Sequence, residues 1–98
     1  MIYVVTSYDV HDPEMHSVEG VATSKEKLCG LLHKIVDPLL KKGFHLEESN
    51  GKEFLDVVRP SGGRIPDGIS LIVHTYDDAA RQPGGKETIR GVRQLLGL

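Results

Sequence analysis

The segment at 9–16 concentrates side chains that could bind a metal ion. Its candidate ligands are Asp9, His11, Asp12, Glu14 and His16. Imidazole and carboxylate groups are the usual ligands of zinc and other divalent ions, so one hypothesis is a metal-dependent hydrolase that uses His11 and His16. The spacing matches no established zinc motif, however, and a solvated loop collects the same polar residues without holding a metal.

Basic residues accompany two glycine-rich segments and continue to the end of the chain. The segments are Gly62-Gly63-Arg64 and Pro83-Gly84-Gly85-Lys86. Consecutive backbone amides before a helix can receive a phosphate or a carboxylate, so both loops could contribute to one anion pocket. The candidate ligand-binding residues are Arg64, Lys86, Arg90 and Arg93. The alternative is ordinary loop and cap chemistry, since the second segment lacks the first glycine of a Walker motif.

Two further groups have the right chemistry but no catalytic arrangement. His45 is predicted to lie opposite Asp56 on neighbouring strands, where a solvated pair of opposite charges is common. Cys29 falls in the first turns of a predicted helix, where a thiol behaves as a small nonpolar side chain. We therefore assign no catalytic residue, and we expect a protein that is not an enzyme and needs no cofactor.

The elements that must position these residues follow from hydrophobic periodicity. Alternating and β-branched residues predict strands at 2–8, 17–23, 44–48, 53–57 and 69–76. Apolar residues at three-and-four spacing predict a long helix, begun by a capping box at Thr23 and Glu26 and ended at Gly43. Pro38 predicts a kink or a restart near Asp37. A short helix is predicted at 87–96.

Asn50-Gly51 is the clearest turn signal, because both residues tolerate the positive φ of a two-residue hairpin turn. Pairing outward from this turn sets Leu46 opposite Leu55 and His45 opposite Asp56. The order β-β-α-β-β-β-α predicts a two-layer α+β fold, with a mixed or antiparallel sheet of about five strands. The long helix and the Asn-Gly hairpin are predicted to share one core.

Length and composition limit the class of protein. A chain of 98 residues with 39% hydrophobic and 27% charged residues is typical of one folded domain, here 1–98. The single cysteine favours a reducing compartment, and we expect a cytoplasmic protein with no export signal and no membrane span. A net charge of -2 argues against generic nucleic-acid binding. The first part of the chain is acidic and the last part is basic.

The stretch Val18-Glu19-Gly20-Val21-Ala22-Thr23-Ser24-Lys25-Glu26-Lys27 follows a tyrosine-containing strand and precedes a phenylalanine-bearing hairpin. In this layout, over 2–73, the chain resembles small uncharacterised α+β domains of Gram-positive bacteria and their phages. The residue match is confined to Gly20-Val21-Ala22-Thr23-Ser24-Lys25-Glu26-Lys27. The resemblance implies no activity, and the acidic loop and the basic final segment depart from its pattern.

Three functions remain as hypotheses. The first is a small binding or regulatory protein that contacts another protein, as a phage or mobile-element accessory factor would, and that forms a homodimer. The second is a binder of a small anionic ligand, such as a nucleotide, through Arg64, Lys86, Arg90 and Arg93. The third is the metal-dependent hydrolase of the acidic loop.

Overall fold

A computed structural model describes residues 1–76 and 86–97 of the chain. The elements of this part are β1 (Ile2–Asp9), β2 (His16–Ala22), α1 (Lys25–Lys41), β3 (His45–Ser49), β4 (Phe54–Arg59), β5 (Asp67–Tyr76), β6 (Lys86–Thr88) and α2 (Val92–Leu95). The predicted α+β fold with one long helix and a short C-terminal helix is confirmed. None of the helices described has the length and apolar character needed to cross a membrane.

The sheet is antiparallel at each of its described strand pairs. Its strand order is β2-β1-β5-β4-β3, and β6 pairs with the far end of β5. β5 is the centre of the sheet, because β1 runs along one of its sides while β4 and then β6 run along the other. Each of the other described strands therefore pairs with β5 itself or with a strand that pairs with β5.

One side of the sheet is covered by helix and forms the core. The stripe of α1 that contains Leu28, Leu32 and Val36 is buried against apolar residues of the strands. The strand residues of this core are Tyr3, Val5, Ala22, Leu55, Val57, Leu71 and Val73. Val92 and Leu96 place α2 in the same core. The predicted shared interior of the long helix and the Asn-Gly hairpin is therefore confirmed.

The start of α1 differs from the predicted capping box by one residue. Ser24 is the N-cap, and its hydroxyl accepts a hydrogen bond from the Lys27 amide at 3.2 Å. The prediction that Thr23 caps the helix is therefore wrong, because the serine that follows it offers the same hydroxyl one position later. The end is as predicted, with Gly43 at φ 93° after the last turn.

Pro38 lies inside α1 without dividing it. The helix is continuous over its 17 residues, so the predicted restart near Asp37 does not occur. A proline cannot donate to the carbonyl group four residues earlier, which here belongs to Lys34. Lys34 and Pro38 are both exposed. The Lys34 carbonyl group can therefore bind water on the outer side of the helix, which compensates for the missing backbone hydrogen bond.

The β3–β4 hairpin keeps the predicted faces but not the predicted register. Leu46 pairs with Val57, and His45 pairs with Val58 rather than Asp56. The loop holds four residues instead of two, because Lys52 also takes a positive φ and the Glu53 amide donates to the Asn50 carbonyl. A shift of two residues leaves every side chain on its original face. The predicted pair of His45 with Asp56 is therefore wrong.

The predicted helix at 87–96 is replaced by a strand and a shorter helix. Lys86–Thr88 forms β6 along β5, and only Val92–Leu95 is helical. After β6, the Ile89 amide donates to the Val73 carbonyl at 2.9 Å. Backbone pairing with the central strand has overridden a helical pattern of apolar residues. The preceding Pro83-Gly84-Gly85 lies outside the described residues.

Candidate functional site

Polar groups of the acidic loop between β1 and β2 form hydrogen bonds with each other. The Asp9 carboxylate accepts from the amides of His11 and Asp12, at 2.8 and 3.3 Å. The His11 ring lies 2.8 Å from the Asp67 carboxylate at the start of β5. Two of the expected metal-binding groups, the Asp9 carboxylate and the His11 ring, are thus engaged in hydrogen bonds within the loop and with the start of β5.

His16 has different partners from His11. Its Nδ1 atom lies 3.0 Å from the Glu14 carbonyl oxygen, and its ring lies 5.7 Å from the Tyr8 ring. Among residues 1–76 and 86–97, no group of three or more His, Cys, Asp or Glu side chains could hold a metal ion. The structure therefore places His11 and His16 in one loop without forming a metal centre from described side chains.

Two of the four basic candidates belong to opposite ends of β5. Arg64 lies in the loop before β5, whereas Lys86 pairs with Tyr76 at the far end of that strand. Ten residues of extended strand separate the two ends by about 30 Å. The second glycine-rich segment lies outside the described residues, so the anion site drawn from all four residues stays a prediction.

Arg90 and Arg93 lie near each other in sequence but have different surroundings. The Arg90 guanidinium lies 3.5 Å from the Glu53 carboxylate of the hairpin loop. The next residue, Gly91, donates its amide to the Lys52 carbonyl at 2.9 Å. These two contacts attach the β6–α2 connection to the hairpin. Arg93 is exposed on α2, on the side away from the core.

A cavity of about 350 Å³ opens beside Arg90, on the helix-covered side of the sheet. It lies between the first turn of α1, the start of β1 and the β6–α2 connection. Its polar lining includes Tyr3, Lys25, Thr75, Glu87, Arg90 and Gln94, and its apolar lining includes Leu28, Ile89 and Leu95. Arg90, one of the four basic candidates from the sequence, is among its lining residues.

The second surface is the side of the sheet opposite the helices, which we call the open face. Strand register assigns to it Ile2, Val4, Thr6, Tyr8, His16, Val18, Val21, His45, Glu47, Ser49, Phe54, Asp56, Val58, Ser70, Ile72, His74, Tyr76 and Thr88. Both described helices pack on the other side. The open face nevertheless carries nine apolar or aromatic residues, which is unusual for a solvated sheet surface.

A bulge in β2 places two valines together on the open face. Thr6 pairs with Val18 and Val5 pairs with Gly20, so Glu19 is the extra residue of the bulge. Without the bulge, Val18 and Val21 would point to opposite sides, because they are three residues apart. With it, both lie on the open face, where they are 64% and 59% exposed.

Aromatic residues form a depression at one end of the open face. Tyr8 and Phe54 meet edge to face, with ring centroids 6.2 Å apart. Together with Pro13 and Val10 of the acidic loop they line a shallow space of about 590 Å³. The Asp56 carboxylate nearby accepts from the Ser70 hydroxyl at 2.6 Å, so its charge is partly satisfied within the sheet.

Comparisons with protein-family models, curated proteins and solved structures each gave no match to this chain. The geometry is therefore the basis for a function. Sequence reasoning missed both surfaces. A signal for the open face exists in the sequence, because a glycine inside a strand, such as Gly20, commonly marks a bulge. The cavity has no local signal, since its lining comes from four separate segments.

Proposed function

We propose that this protein is a non-enzymatic binding protein that acts through the open face, and that the partner bound there is a second copy of the chain. The observation that carries the proposal is the exposure of Val18 and Val21, which lie on the open face across β1 from Ile72. Sheets whose outer side is solvated usually alternate apolar with polar residues. A contiguous apolar surface on such a sheet indicates that another protein covers it.

The size of the open face fits a protein partner. Five strands spaced about 4.8 Å apart and about seven residues long on average give a surface of roughly 600 Å² before side-chain relief is counted. A stable interface buries about 800 Å² on each partner. The open face is therefore of the size that a homodimer needs, whereas a small ligand would cover only a fraction of it.

The distribution of charge on the open face also fits an interface. Val4, Ile72 and Phe54 lie toward the middle of the sheet, while His45 and Glu47 lie on the edge strand β3, with their side chains 3.0 Å apart. Protein interfaces have the same arrangement of an apolar centre and a polar rim. A two-fold contact between identical faces would bury Val18, Val21 and the accessible parts of Val4 and Phe54, and it would leave these charges solvated.

The edges of the sheet are less suitable for association than its face. The β2 edge is bent by the bulge, and its Glu19 carboxylate accepts from the Ser7 hydroxyl at 2.6 Å. The β3 edge carries His45, Glu47 and Glu48. Bulges and charges are the features that prevent strand-to-strand pairing between molecules. We therefore assign the contact to the face, which stacks two sheets instead of extending one.

A regulatory role is the form of this function that we propose, as for an accessory factor of a phage or mobile element. The support is twofold. The described surface offers apolar contact area, and the polar residues of its turns form hydrogen bonds with each other. In such a protein the homodimer would be the binding unit for a host protein. Capture from the native host with wild-type protein and with an open-face variant would identify a partner that depends on this surface.

Sedimentation equilibrium tests the homodimer directly. We expect the wild-type protein to be dimeric at tens of micromolar and the double variant Val18→Lys, Val21→Lys to be monomeric with an unchanged circular dichroism spectrum. Ile65→Lys is the matched control, because Ile65 is 50% exposed but lies in the loop before β5. A wild-type protein that stays monomeric at millimolar concentration would contradict the proposal.

A further inference from the structure

We infer that the cavity beside α1 is a binding site for a small carboxylate with an apolar body. This site is distinct from the open face, because its walls are on the helix-covered side of the sheet. It would give the protein a ligand in addition to a protein partner. The inference rests on the unpaired hydroxyl group of a largely buried tyrosine, on the charges around the cavity, and on its size.

The Tyr3 hydroxyl is the central observation. The Tyr3 side chain is 5% exposed and belongs to the core, yet it lines the cavity. In the part of the chain that the structure describes, no hydrogen bond links this hydroxyl to the protein. Every fully buried side-chain oxygen in the described part has a hydrogen-bond partner. Because the Tyr3 hydroxyl has none, it must be accessible from the cavity. A buried tyrosine normally bonds its hydroxyl, and here a ligand can supply the acceptor.

The charges at the cavity favour a single negative charge on the ligand. Lys25 and Glu87 line the cavity with opposite charges, and Arg90 lines it while its guanidinium is paired with the Glu53 carboxylate 3.5 Å away. Lys25 is also the first residue of α1, where the helix dipole is positive and the first amides have no carbonyl partner within the helix. Lys25 and these amides can meet one carboxylate, whereas Glu87 would repel a nucleotide with two or more negative charges.

The apolar walls and the volume define the remainder of the ligand. Leu28, Ile89 and Leu95 line the inner part of the cavity, next to the core. A volume of about 350 Å³ lies at the lower end of the range for small-molecule sites. A carboxylate with a short hydrocarbon chain or one ring fits this space. Its carboxylate would lie at Tyr3 and Lys25, and its apolar body would lie against the leucines.

Two probes that differ only in the head group test the inference. Hexanoate and hexanamide have the same hydrocarbon chain, but only hexanoate carries a negative charge. Titration of ¹⁵N-labelled full-length protein should move the amide signals of Tyr3, Ile89 and Gly91 with hexanoate. Hexanamide should bind roughly tenfold more weakly, the difference expected for a hydrogen bond to a charged group.

Three variants separate the site from general effects. Tyr3→Phe removes only the hydroxyl group and keeps the ring in the core, and it should weaken hexanoate binding roughly tenfold. Lys25→Gln, at an exposed position, should weaken hexanoate but not hexanamide. Arg93→Gln is the control, because Arg93 carries the same charge on α2 without lining the cavity. It should bind hexanoate as the wild-type protein does.

The outcomes that overturn the inference are definite. They are equal affinity for the two probes, unchanged hexanoate binding by Tyr3→Phe, shifts confined to residues outside the cavity, or no shift at all at tens of millimolar hexanoate. The open-face variant Val18→Lys, Val21→Lys should bind hexanoate normally. Loss of the dimer and loss of the ligand site can therefore be observed separately.

Discussion

Gly20 in β2 and Leu31 in α1 approach so closely that a β-carbon at Gly20 would lie 2.8 Å from Cδ2 of Leu31. The bulge turns Gly20 toward the helix, and the missing side chain lets α1 lie against the edge of the sheet. The same bulge turns Val18 and Val21 outward. One local irregularity therefore brings the helix close on one side and creates the apolar surface on the other.

Substitutions at Gly20 should depend on the size of the new side chain and on Leu31. Cδ2 is the end of a flexible side chain, so Gly20→Ala should cost less than about 1 kcal/mol, whereas Gly20→Val should cost about 2 kcal/mol through overpacking. Urea denaturation measures both. In the double variant Gly20→Val, Leu31→Ala the two losses should be less than additive. Strict additivity would show that the two residues do not contact each other.

Gly68→Ala should destabilise the protein by more than about 3 kcal/mol, since it combines backbone strain with a clash. Gly68 has φ 147°, and a β-carbon there would overlap the Val57 carbonyl oxygen and lie 2.8 Å from Cα of Val58. Both obstacles are backbone atoms of β4, which cannot rotate away. Gly63→Ala is the control, because its nearest contact would be the Ser61 hydroxyl at 3.6 Å. Equal thermal midpoints for the two variants would contradict this geometry.

Pro38→Ala should stabilise the protein. The substitution restores a backbone donor to the Lys34 carbonyl and removes the steric conflict of the proline ring, for a gain of about 1–2 kcal/mol near the end of the helix. Part of the gain is offset, because an alanine leaves the unfolded chain freer than a proline does. Calorimetry should show a higher melting temperature. A lower one would mean that Pro38 stabilises the last turn of α1.

Leu96→Ala should release α2 from the core before the whole protein unfolds. Leu96 is buried, and the Cys29 thiol on α1 donates to the Leu95 carbonyl at 2.9 Å. Loss of the leucine side chain should cost about 2 kcal/mol and should make Cys29 react faster with iodoacetamide. Arg93→Gln, on the exposed side of α2, should leave the reaction rate unchanged. An unchanged rate in Leu96→Ala would place the control of Cys29 reactivity elsewhere.

Periodicity in the sequence predicts the fold class and much of the core. The helix stripe of Leu28, Leu32 and Val36 and the inward positions Leu55 and Val57 follow from the spacing of apolar residues. The register error in the hairpin did not affect these assignments, because an even shift keeps every residue on its face. Local signals are therefore sufficient where burial on one side decides the structure.

The missed features depend on contacts between distant parts of the chain. β6 forms because Lys86–Thr88 meets the free side of β5, whereas its own sequence has the spacing of a helix. The cavity exists because Tyr3, Lys25 and Arg90 are brought together from three elements. The sequence likewise does not show that Arg64 and Lys86 belong to opposite ends of β5, because that separation depends on the length of the folded strand.

The position of β5 at the centre of the sheet determines when the chain can fold during its synthesis. β1 is made first, yet Ile2 pairs with Tyr76, so the N-terminal hairpin must wait for most of the chain to leave the ribosome. Until then one side of β1 has no strand beside it and the hairpin has little core. Pauses in translation before Asp67 would therefore prolong the period in which the nascent chain is most prone to aggregate.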